Sequence, residues 1–323
     1  MKKAAKNFWK LKSNLIAWSK KPKKVLLKKN IWYPDGKLNI YHNCIENKIA
    51  KYGNKVAIYT IDNSKNINQY SYNQVYNLVE NFSQILNKNT NRKSMIAIHA
   101  SASIESSTTM LACCKLARLF SVIFEDLPGE AILTRLKILK PDIFITRSSN
   151  DNIKKIIIPL IKKYEAVTKK KIKIINFSNE KKINKIINTN SYLLLNKTDE
   201  KKKINTINSP SNKSSFVLFT SGSTGQPKGI VHSTGGYLLY SKYTCAEQFG
   251  INNKSIVLTA SDAGWINGHT YSLFGPLSLG ATTILLESPM LILDPNILKK
   301  VIYNLKISVL YLPVIIIRIL KSL

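Results

Sequence analysis

The chain has 323 residues, and 44% of them are hydrophobic, which is enough to bury a core as one large domain or as two. The formal net charge of +31 comes almost entirely from lysines, which are dispersed along the chain rather than clustered with arginine and aromatic residues. This pattern favours a solvated lysine-rich surface, so we expect no nucleic-acid partner. No apolar run reaches the ~18 residues that a membrane span requires, and the basic N-terminus makes a poor signal peptide. Composition therefore predicts a cytoplasmic protein without a membrane partner.

The four cysteines are Cys44, Cys113, Cys114 and Cys245, and they lack the paired spacing of a metal site. All four lie in apolar segments, so they are predicted to be buried free thiols in a reducing compartment. The sequence predicts no metal site built from cysteine.

Short apolar strands alternate with amphipathic helices along the chain, which predicts an α/β fold with mostly parallel sheets flanked by helices. The predicted strands are Val56–Thr60, Met95–His99, Phe120–Phe124, Ile143–Thr146, Ile172–Ile175, Ile256–Ala260, Thr282–Leu286 and Val309–Leu312. Ser71 and Gln74 form a capping box that predicts the start of a helix. Further helices are expected at Ile104–Leu116, Glu130–Leu139, Asn152–Tyr164 with a break at Pro159, Gly235–Gln248, Thr270–Leu279 and Pro295–Leu305. Residues 177–213 are predicted to be a poorly packed connection around a short segment at Tyr192–Leu195.

One glycine- and hydroxyl-rich stretch follows the apolar run Phe216–Phe219. Its residues are Thr220, Ser221, Gly222, Ser223, Thr224 and Gly225, and Lys228 follows after Pro227. Glycines allow backbone N–H groups to converge on an anion, while the hydroxyls and the lysine add donors and charge. A flexible linker has a similar composition, but a linker would not lie between a buried strand and a Pro-Lys-Gly turn. The stretch therefore predicts a phosphate-binding loop, and Pro227 before Lys228 excludes a Walker A loop.

A second polar stretch, Ser261–His269, follows the predicted strand Ile256–Ala260, at the end of a strand where α/β sheets bind ligands. Trp265 is either a pocket wall or a core aromatic residue. Asp262 is either a metal ligand or a turn-forming residue, and His269 either has a functional role or is a structural helix cap.

The segment Ser214–Ser233, with His232–Tyr240 after it, resembles the signature of the AMP-forming acyl-CoA synthetases, which are adenylate-forming enzymes. It is most similar to their short-chain branch, the acetyl-CoA and propionyl-CoA synthetases. The resemblance extends from about Asn7 to Leu323, and members of that family are roughly twice as long as this chain. It implies that residues 1–55 are the N-terminal extension and that residues 56–323 are the first part of the AMP-binding domain, with the C-terminal domain absent.

The resemblance also implies a reaction: activation of acetate or propionate with ATP and Mg²⁺ to acyl-AMP, then transfer to coenzyme A with release of AMP and pyrophosphate. The ATP phosphates would be bound by Thr220, Ser221, Gly222, Ser223, Thr224, Gly225 and Lys228. Trp265, Ile266 and Asn267 would form the acyl pocket and lie near coenzyme A. Acetyl-CoA synthetases usually have Thr at the Asn267 position and propionyl-CoA synthetases commonly have Val, so Asn267 leaves the choice between the two acids open.

Other positions depart from the family pattern. Glu125 and Asp126 follow Phe124 where members have two glycines close to coenzyme A, and these carboxylates are expected in a solvated loop. Lys154 and Lys155 stand where an arginine-bearing coenzyme A loop is expected. The family's catalytic lysine lies beyond Leu323, so we expect the 323 residues alone not to form acyl-AMP. Three alternatives stay open: an enzyme completed by a separately encoded C-terminal half, a non-catalytic remnant, and a nucleotide-binding or partner-binding module.

Overall fold

Strands and helices alternate over the residues that the computed structural model describes, which are 2–27, 31–178, 186–190, 194–195, 203–221 and 225–322. Within these ranges the strands, numbered in chain order, are β1 (Lys37–Leu38), β2 (Val56–Ile61), β3 (Ile67–Ser71), β4 (Met95–His99), β5 (Leu119–Ile123), β6 (Ile143–Thr146), β7 (Lys173–Phe177), β8 (Ile186–Thr189), β9 (Ser209–Pro210), β10 (Ser214–Thr220), β11 (Lys228–Ser233), β12 (Ile256–Thr259), β13 (Thr282–Leu286) and β14 (Val309–Tyr311). The α-helices are Lys2–Lys12, Ile40–Cys44, Ile49–Tyr52, Tyr72–Asn89, Ile104–Lys115, Gly129–Leu139, Asn150–Asn152, Ile158–Thr168, Thr234–Glu247, Ile266–His269, Gly275–Ser278, Pro295–Lys299 and Val314–Ser322. The π-helical segments Ile153–Ile157, Thr270–Phe274 and Lys300–Asn304 continue three of these helices.

The larger sheet has seven strands in the order β11-β10-β5-β4-β6-β7-β8. All neighbours run parallel except β11, which is antiparallel to β10. Every residue of β4 and β6 is buried, as expected for central parallel strands that helices cover on both faces. The predicted α/β class with mostly parallel sheets is confirmed.

The second sheet has five strands in the order β14-β12-β13-β2-β3. Strand β2 from the early part of the chain runs parallel to β13 from the late part, with Ile58 beside Thr283, and β3 returns antiparallel to β2. A separate short ribbon pairs β1 with β9. Both ends of the described chain therefore contribute to one sheet.

The predicted capping box at Ser71 and Gln74 and the predicted helix break at Pro159 are both confirmed. The Ser71 Oγ atom accepts a hydrogen bond from the Gln74 backbone N–H at 3.2 Å, and the Gln74 Oε1 atom accepts one from the Ser71 N–H at 2.8 Å. Pro159 lies in the first turn of Ile158–Thr168, directly after the π-helical segment Ile153–Ile157. Because proline lacks an N–H and crowds the preceding turn, this helix changes its hydrogen-bonding pattern at the predicted break.

The packing between the two sheets is aromatic and centres on the chain that follows β12. The His269 ring lies 4.8 Å from the Phe216 ring of β10 and stacks at 6.0 Å on the Phe120 ring of β5. Phe274 also packs against Phe216, with ring centroids 6.4 Å apart. These contacts fix the Ile266–His269 helix and its π-helical continuation against the larger sheet.

Some sequence predictions were wrong. Strands β3, β8 and β11 were not predicted, and β8 and β9 lie inside the stretch that was interpreted as a poorly packed connection. Leu194 and Leu195 are helical, whereas Tyr192 lies outside the described residues.

All four cysteines are buried free thiols, as predicted. Among the described residues, no helix combines the length and the apolar character needed to cross a bilayer.

Candidate functional site

The predicted phosphate-binding stretch forms the turn of the β10–β11 hairpin. Thr220 ends β10 and pairs with Lys228, which begins β11. Because β10 runs parallel to β5, this turn lies at the carboxyl edge of the larger sheet, where α/β folds bind ligands. Thr220, Ser221, Gly225 and Lys228 are exposed there. Gly222, Ser223 and Thr224 lie outside the described residues.

Gly225 has the backbone geometry that the sequence argument required. Its φ is +77°, in the left-handed region, and apart from its chain neighbours no atom of the described residues lies within 4 Å of the position that a Cβ would occupy. The positive φ alone is reason for glycine at this position. A turn with left-handed residues directs successive N–H groups outward, which is the arrangement that binds phosphate.

We expect Gly225→Ala to weaken ATP binding. An alanine in the left-handed region is destabilised by about 1–2 kcal/mol, and an exposed turn relieves this strain by changing shape. The KM for ATP, measured in an enzyme that contains this chain, should rise roughly 5- to 30-fold. Gly250→Ala is the matched control, because Gly250 also has a positive φ of +63° and open space around it but follows the Thr234–Glu247 helix. An equal rise in KM for both variants would contradict a specific role for Gly225.

The second predicted stretch, Ser261–His269, begins with a tight turn directly after β12. The Asp262 Oδ1 atom accepts a hydrogen bond from the Gly264 N–H at 2.7 Å, so Asp262 forms this turn. A helix begins at Ile266, four residues before the predicted helix start at Thr270. Trp265 is 56% exposed and packs against Phe124 with ring centroids 5.6 Å apart, so the alternative of a core aromatic residue is wrong.

Ile266 and Asn267 line a cavity of about 570 Å³. The cavity is also lined by Trp9, Trp32, Val231, His232, Tyr237 and Tyr240. The Asn267 Nδ2 atom donates a hydrogen bond to the Tyr311 hydroxyl at 3.3 Å, which holds the amide at the cavity wall. Tyr311 was not predicted, because nothing in the sequence pairs it with Asn267. Trp265 and the described residues of the β10–β11 turn do not line this cavity.

His269 is fully buried, and its Nδ1 atom lies 3.2 Å from the Trp265 carbonyl oxygen. Burial among aromatic rings lowers the pKa of His269 to about 3. His269 is therefore neutral near pH 7 and has no solvent-exposed atoms. This favours the structural role over the functional role that the sequence analysis left open for His269.

Carboxylates gather near Trp265 at the carboxyl ends of both sheets. Asp126 is exposed as expected, but the Glu125 side chain turns inward and its Oε2 atom accepts a hydrogen bond from the Ser101 N–H at 3.0 Å. Burial raises the pKa of Glu125, so the expected solvated loop is wrong for this residue. An Arg147–Glu287 ion pair of 2.7 Å joins the chain after β6 to the chain after β13, which holds the two sheets together beside this cluster.

Asp262 should make stability depend on pH. Burial raises the pKa of Asp262 to about 6, the Gly264 N–H opposes this shift, and the Asp126 and Glu125 carboxylates add to it. A folded-state pKa above the ordinary value of 3.8 means that the folded chain holds this proton more tightly than the unfolded chain. The contribution of protonated Asp262 to the free energy of unfolding is therefore fully present below about pH 4 and is lost as pH rises through about 6.

Asp262→Asn removes the charge and keeps the oxygen that accepts from Gly264. We expect its free energy of unfolding, relative to the native chain, to increase as pH rises from 4 to 7. Urea unfolding at several pH values measures this difference. A difference that stays constant with pH would show that Asp262 does not titrate in this range.

Lys154 and Lys155 are exposed at the start of the π-helical segment, and the Lys155 Nζ atom pairs with an Asp151 carboxylate oxygen at 3.3 Å. The described contacts of these two lysines do not reach the turn or the cavity.

Comparisons with known proteins relate the whole chain to one family. The family model "AMP-binding enzyme" matches residues 45–323. The acetyl-coenzyme A synthetases of Psychromonas ingrahamii and Leptospira biflexa are 30% and 31% identical to the chain, and each alignment covers 94% of this chain and 49% of the relative. The chain thus spans about half the length of these curated relatives. The structure of acetoacetyl-CoA synthetase from Streptomyces lividans shares the fold, with a TM-score of 0.84 at 15% identity over 99% of this chain and 50% of that one.

Proposed function

The chain belongs to the AMP-binding enzyme family. We propose that it supplies the ATP-binding half of a carboxylate–CoA ligase. The reaction is attack of a short-chain carboxylate, acetate or propionate, on the α-phosphorus of ATP. The bond from that phosphorus to pyrophosphate breaks, acyl-AMP forms, and the thiol of coenzyme A then displaces AMP. The observation that supports this proposal is the left-handed Gly225 in an exposed turn at the carboxyl edge of a parallel sheet.

In this proposal the β10–β11 turn binds the β- and γ-phosphates. The backbone N–H groups near Gly225 and the hydroxyls of Thr220 and Ser221 donate hydrogen bonds to phosphate oxygens. Lys228, at the start of β11, adds the only lysine or arginine charge between Ser214 and Ser233. Leaving pyrophosphate gains negative charge as its bond breaks, so donors fixed at that end stabilise the transition state more than the ground state.

The acyl group is assigned to Ile266 and Asn267, since both line one cavity and Asn267 is held by Tyr311. Coenzyme A would approach from the side of Trp265. That side carries Glu125 and Asp126, whose negative charges oppose the approach of the anionic coenzyme A.

Mg²⁺ would enter with ATP. Among the described residues, no group of three or more His, Cys, Asp or Glu side chains is placed to hold a metal ion, so no residue is assigned to it. When bound, Mg²⁺ would neutralise phosphate charge, a task that Lys228 and the hydroxyls of the turn support from the protein side.

The proposal is tested with a chimera that joins this chain to the unmatched half of the Leptospira biflexa acetyl-coenzyme A synthetase. We expect formation of AMP and acyl-CoA that depends on ATP, coenzyme A and either acetate or propionate. A chimera that binds ATP with a native fold but forms no acyl-CoA with either acid would contradict the ligase assignment. It would favour a nucleotide-binding module instead.

A further inference from the structure

A group of three cations lies at the amino end of the strands of the larger sheet, on the opposite edge from the β10–β11 turn. Arg118 directly precedes β5, Lys213 directly precedes β10, and Arg92 lies in the turn before β4. Arg118 is only 4% exposed and Lys213 is half-buried, whereas Arg92 is exposed. Since β10 has seven residues with a rise of ~3.3 Å each, the group lies about 20 Å from the β10–β11 turn. It is therefore separate from the site proposed for ATP.

Arg118 and Lys213 bind the same turn of the backbone. The Arg118 Nη1 atom donates a hydrogen bond to the Leu116 carbonyl oxygen at 2.7 Å, and the Lys213 Nζ atom donates one to the Ala117 carbonyl oxygen at 2.9 Å. Consecutive Cα atoms are only ~3.8 Å apart, so these successive carbonyls bring the two side chains close together. Two positive charges therefore share one small region of the fold.

Among the residues that the structure describes, no carboxylate neutralises these two cations. The other acceptors of the Arg118 guanidinium, Thr90 Oγ1 and Asn87 Oδ1, are uncharged and each lie at 3.1 Å. The ion pairs of the described residues include none with Arg118, Lys213 or Arg92. Neutral acceptors satisfy the N–H groups but leave the positive charge uncompensated.

The neighbouring Lys115 shows the usual arrangement of a buried cation. It lies three residues before Arg118, and its Nζ atom pairs with a Glu80 carboxylate oxygen at 2.6 Å. Lys213 differs, because burial lowers its pKa and the Arg118 and Arg92 charges lower it further. Burial also lowers the pKa of Arg118, and Arg92 adds to this shift. The cations thus disfavour one another, and a negative charge beside them would stabilise them all.

Arg118 and Lys213 both line a cavity of about 10 Å³. Its wall also contains the polar residues Asn39, Ser209, Ser214, Ser215 and Thr234. Thr234 begins the Thr234–Glu247 helix, whose N-terminal end adds a partial positive charge. The volume is about that of one water site, so it excludes polyatomic anions such as phosphate or a carboxylate. A water molecule would fill it but would leave both cations without a counter-ion.

We propose that this cavity binds a monatomic anion, chloride, held by Arg118 and Lys213. The proposal goes beyond the proposed function and does not depend on it. Bound chloride joins the turn before β5 to the start of β10 and to the helix that follows β11. It should therefore stabilise the fold without taking part in catalysis.

Thermal unfolding of the 323-residue chain in potassium chloride tests this, with potassium gluconate at the same ionic strength as the reference. Equal ionic strength removes the general screening effect of salt on a chain with a net charge of +31. With chloride about 20-fold above its Kd, the melting temperature should be roughly 2–4 °C higher than in gluconate. Equal melting temperatures in the two salts would overturn the proposal.

Lys213→Met locates the site, because it removes one charge and leaves the three hydrogen bonds of the buried Arg118 in place. The chloride-dependent rise in melting temperature should disappear in this variant. Lys55→Met is the matched control: Lys55 is also half-buried and its Nζ atom donates to the Gly280 carbonyl oxygen at 2.7 Å, but it does not line this cavity. The control should keep the full rise. A rise that persists in Lys213→Met, or that is lost equally in Lys55→Met, would overturn the proposed location.

Bromide identifies the ligand directly, because it is a close chemical analogue of chloride and scatters X-rays anomalously. Crystals of the chain grown in bromide should show an anomalous peak in contact with the Arg118 guanidinium and the Lys213 Nζ atom. A water molecule at that position, with bromide only at exposed lysines, would overturn the proposal. None of these measurements depends on activity, so their failure and the failure of the ligase assignment are distinguishable.

Discussion

Lys228→Ala is expected to lower kcat/KM for adenylation by roughly 30- to 900-fold in the chimera, which corresponds to about 2–4 kcal/mol of barrier. Lys228 is the only lysine or arginine between Ser214 and Ser233, and it is placed directly across the hairpin from Thr220. Pyrophosphate gains charge as it leaves, so removal of this cation weakens a contact that strengthens in the transition state. The rate of ATP–pyrophosphate exchange at subsaturating ATP measures the loss.

Three further measurements separate this role from a structural one. The melting temperature of Lys228→Ala should match that of the parent, because the side chain is exposed. Lys228→Arg keeps the charge and should recover most of the activity. Lys254→Ala, at an exposed lysine in the turn before β12, should have no effect. Full activity of Lys228→Ala, or a loss of activity that follows unfolding, would make Lys228 a surface residue of a structural turn.

Gly268→Ala is expected to destabilise the fold by about 3 kcal/mol or more and to lower the melting temperature by roughly 6 °C. A Cβ at Gly268 would lie 2.1 Å from the Asp262 carbonyl oxygen and 3.1 Å from the Ala263 Cα atom. Both obstructing atoms belong to the backbone, so no side-chain rotation relieves the overlap. The Ile266–His269 helix must then move away from the turn, and Ile266 and Asn267 move with it.

Gly129→Ala is the control for this variant. No atom lies within 4 Å of its Cβ position, and it begins the Gly129–Leu139 helix, so alanine there should leave the melting temperature unchanged or raise it slightly. If thermal unfolding gave the same melting temperature for Gly268→Ala as for the parent, the close approach of the helix to Asp262 would be wrong.

Close contacts of this kind also explain why both Gly264 and Gly268 occur in the Ser261–His269 stretch. A Cβ at Gly264 would lie 2.8 Å from the Phe124 ring, and one at Gly268 would meet the turn at Asp262. The sequence showed that glycines recur here, but their partners come from the residue after β5 and from the turn itself. Only the folded chain reveals which contact each glycine permits.

The sequence predicted the buried strands and missed three of the four strands at the edges of the two larger sheets. Strands β4, β6 and β13 are continuous apolar runs, because helices or the neighbouring sheet cover both faces, and their bounds were predicted to the residue. Strands β3, β8 and β11 each lie at an edge of a sheet. These three strands are partly exposed and carry polar residues or glycine, so alternation and apolar content do not indicate them; they form because a neighbouring strand pairs with them. The fourth edge strand, β14, is an apolar run and was predicted.

The candidate site was predictable in its parts and not in its assembly. A turn after β10 follows from the local glycine- and hydroxyl-rich composition, and Gly225 has a left-handed backbone there. Phosphate binding by this turn stays a prediction. The contact of Trp265 with Phe124 and the hydrogen bond of Asn267 with Tyr311 depend on two sheets that pack with strands from both ends of the chain. The inward turn of Glu125 likewise depends on the Ser101 N–H, which no local pattern indicates.

We propose above that the β10–β11 turn binds ATP phosphates for adenylation of a carboxylate. ATP–pyrophosphate exchange by the chimera, measured without coenzyme A, tests this proposal because it requires only the first half-reaction. We predict exchange that depends on acetate or propionate and that falls roughly 30-fold or more with Lys228→Ala. Background exchange with both acids in a folded, ATP-binding chimera would contradict it.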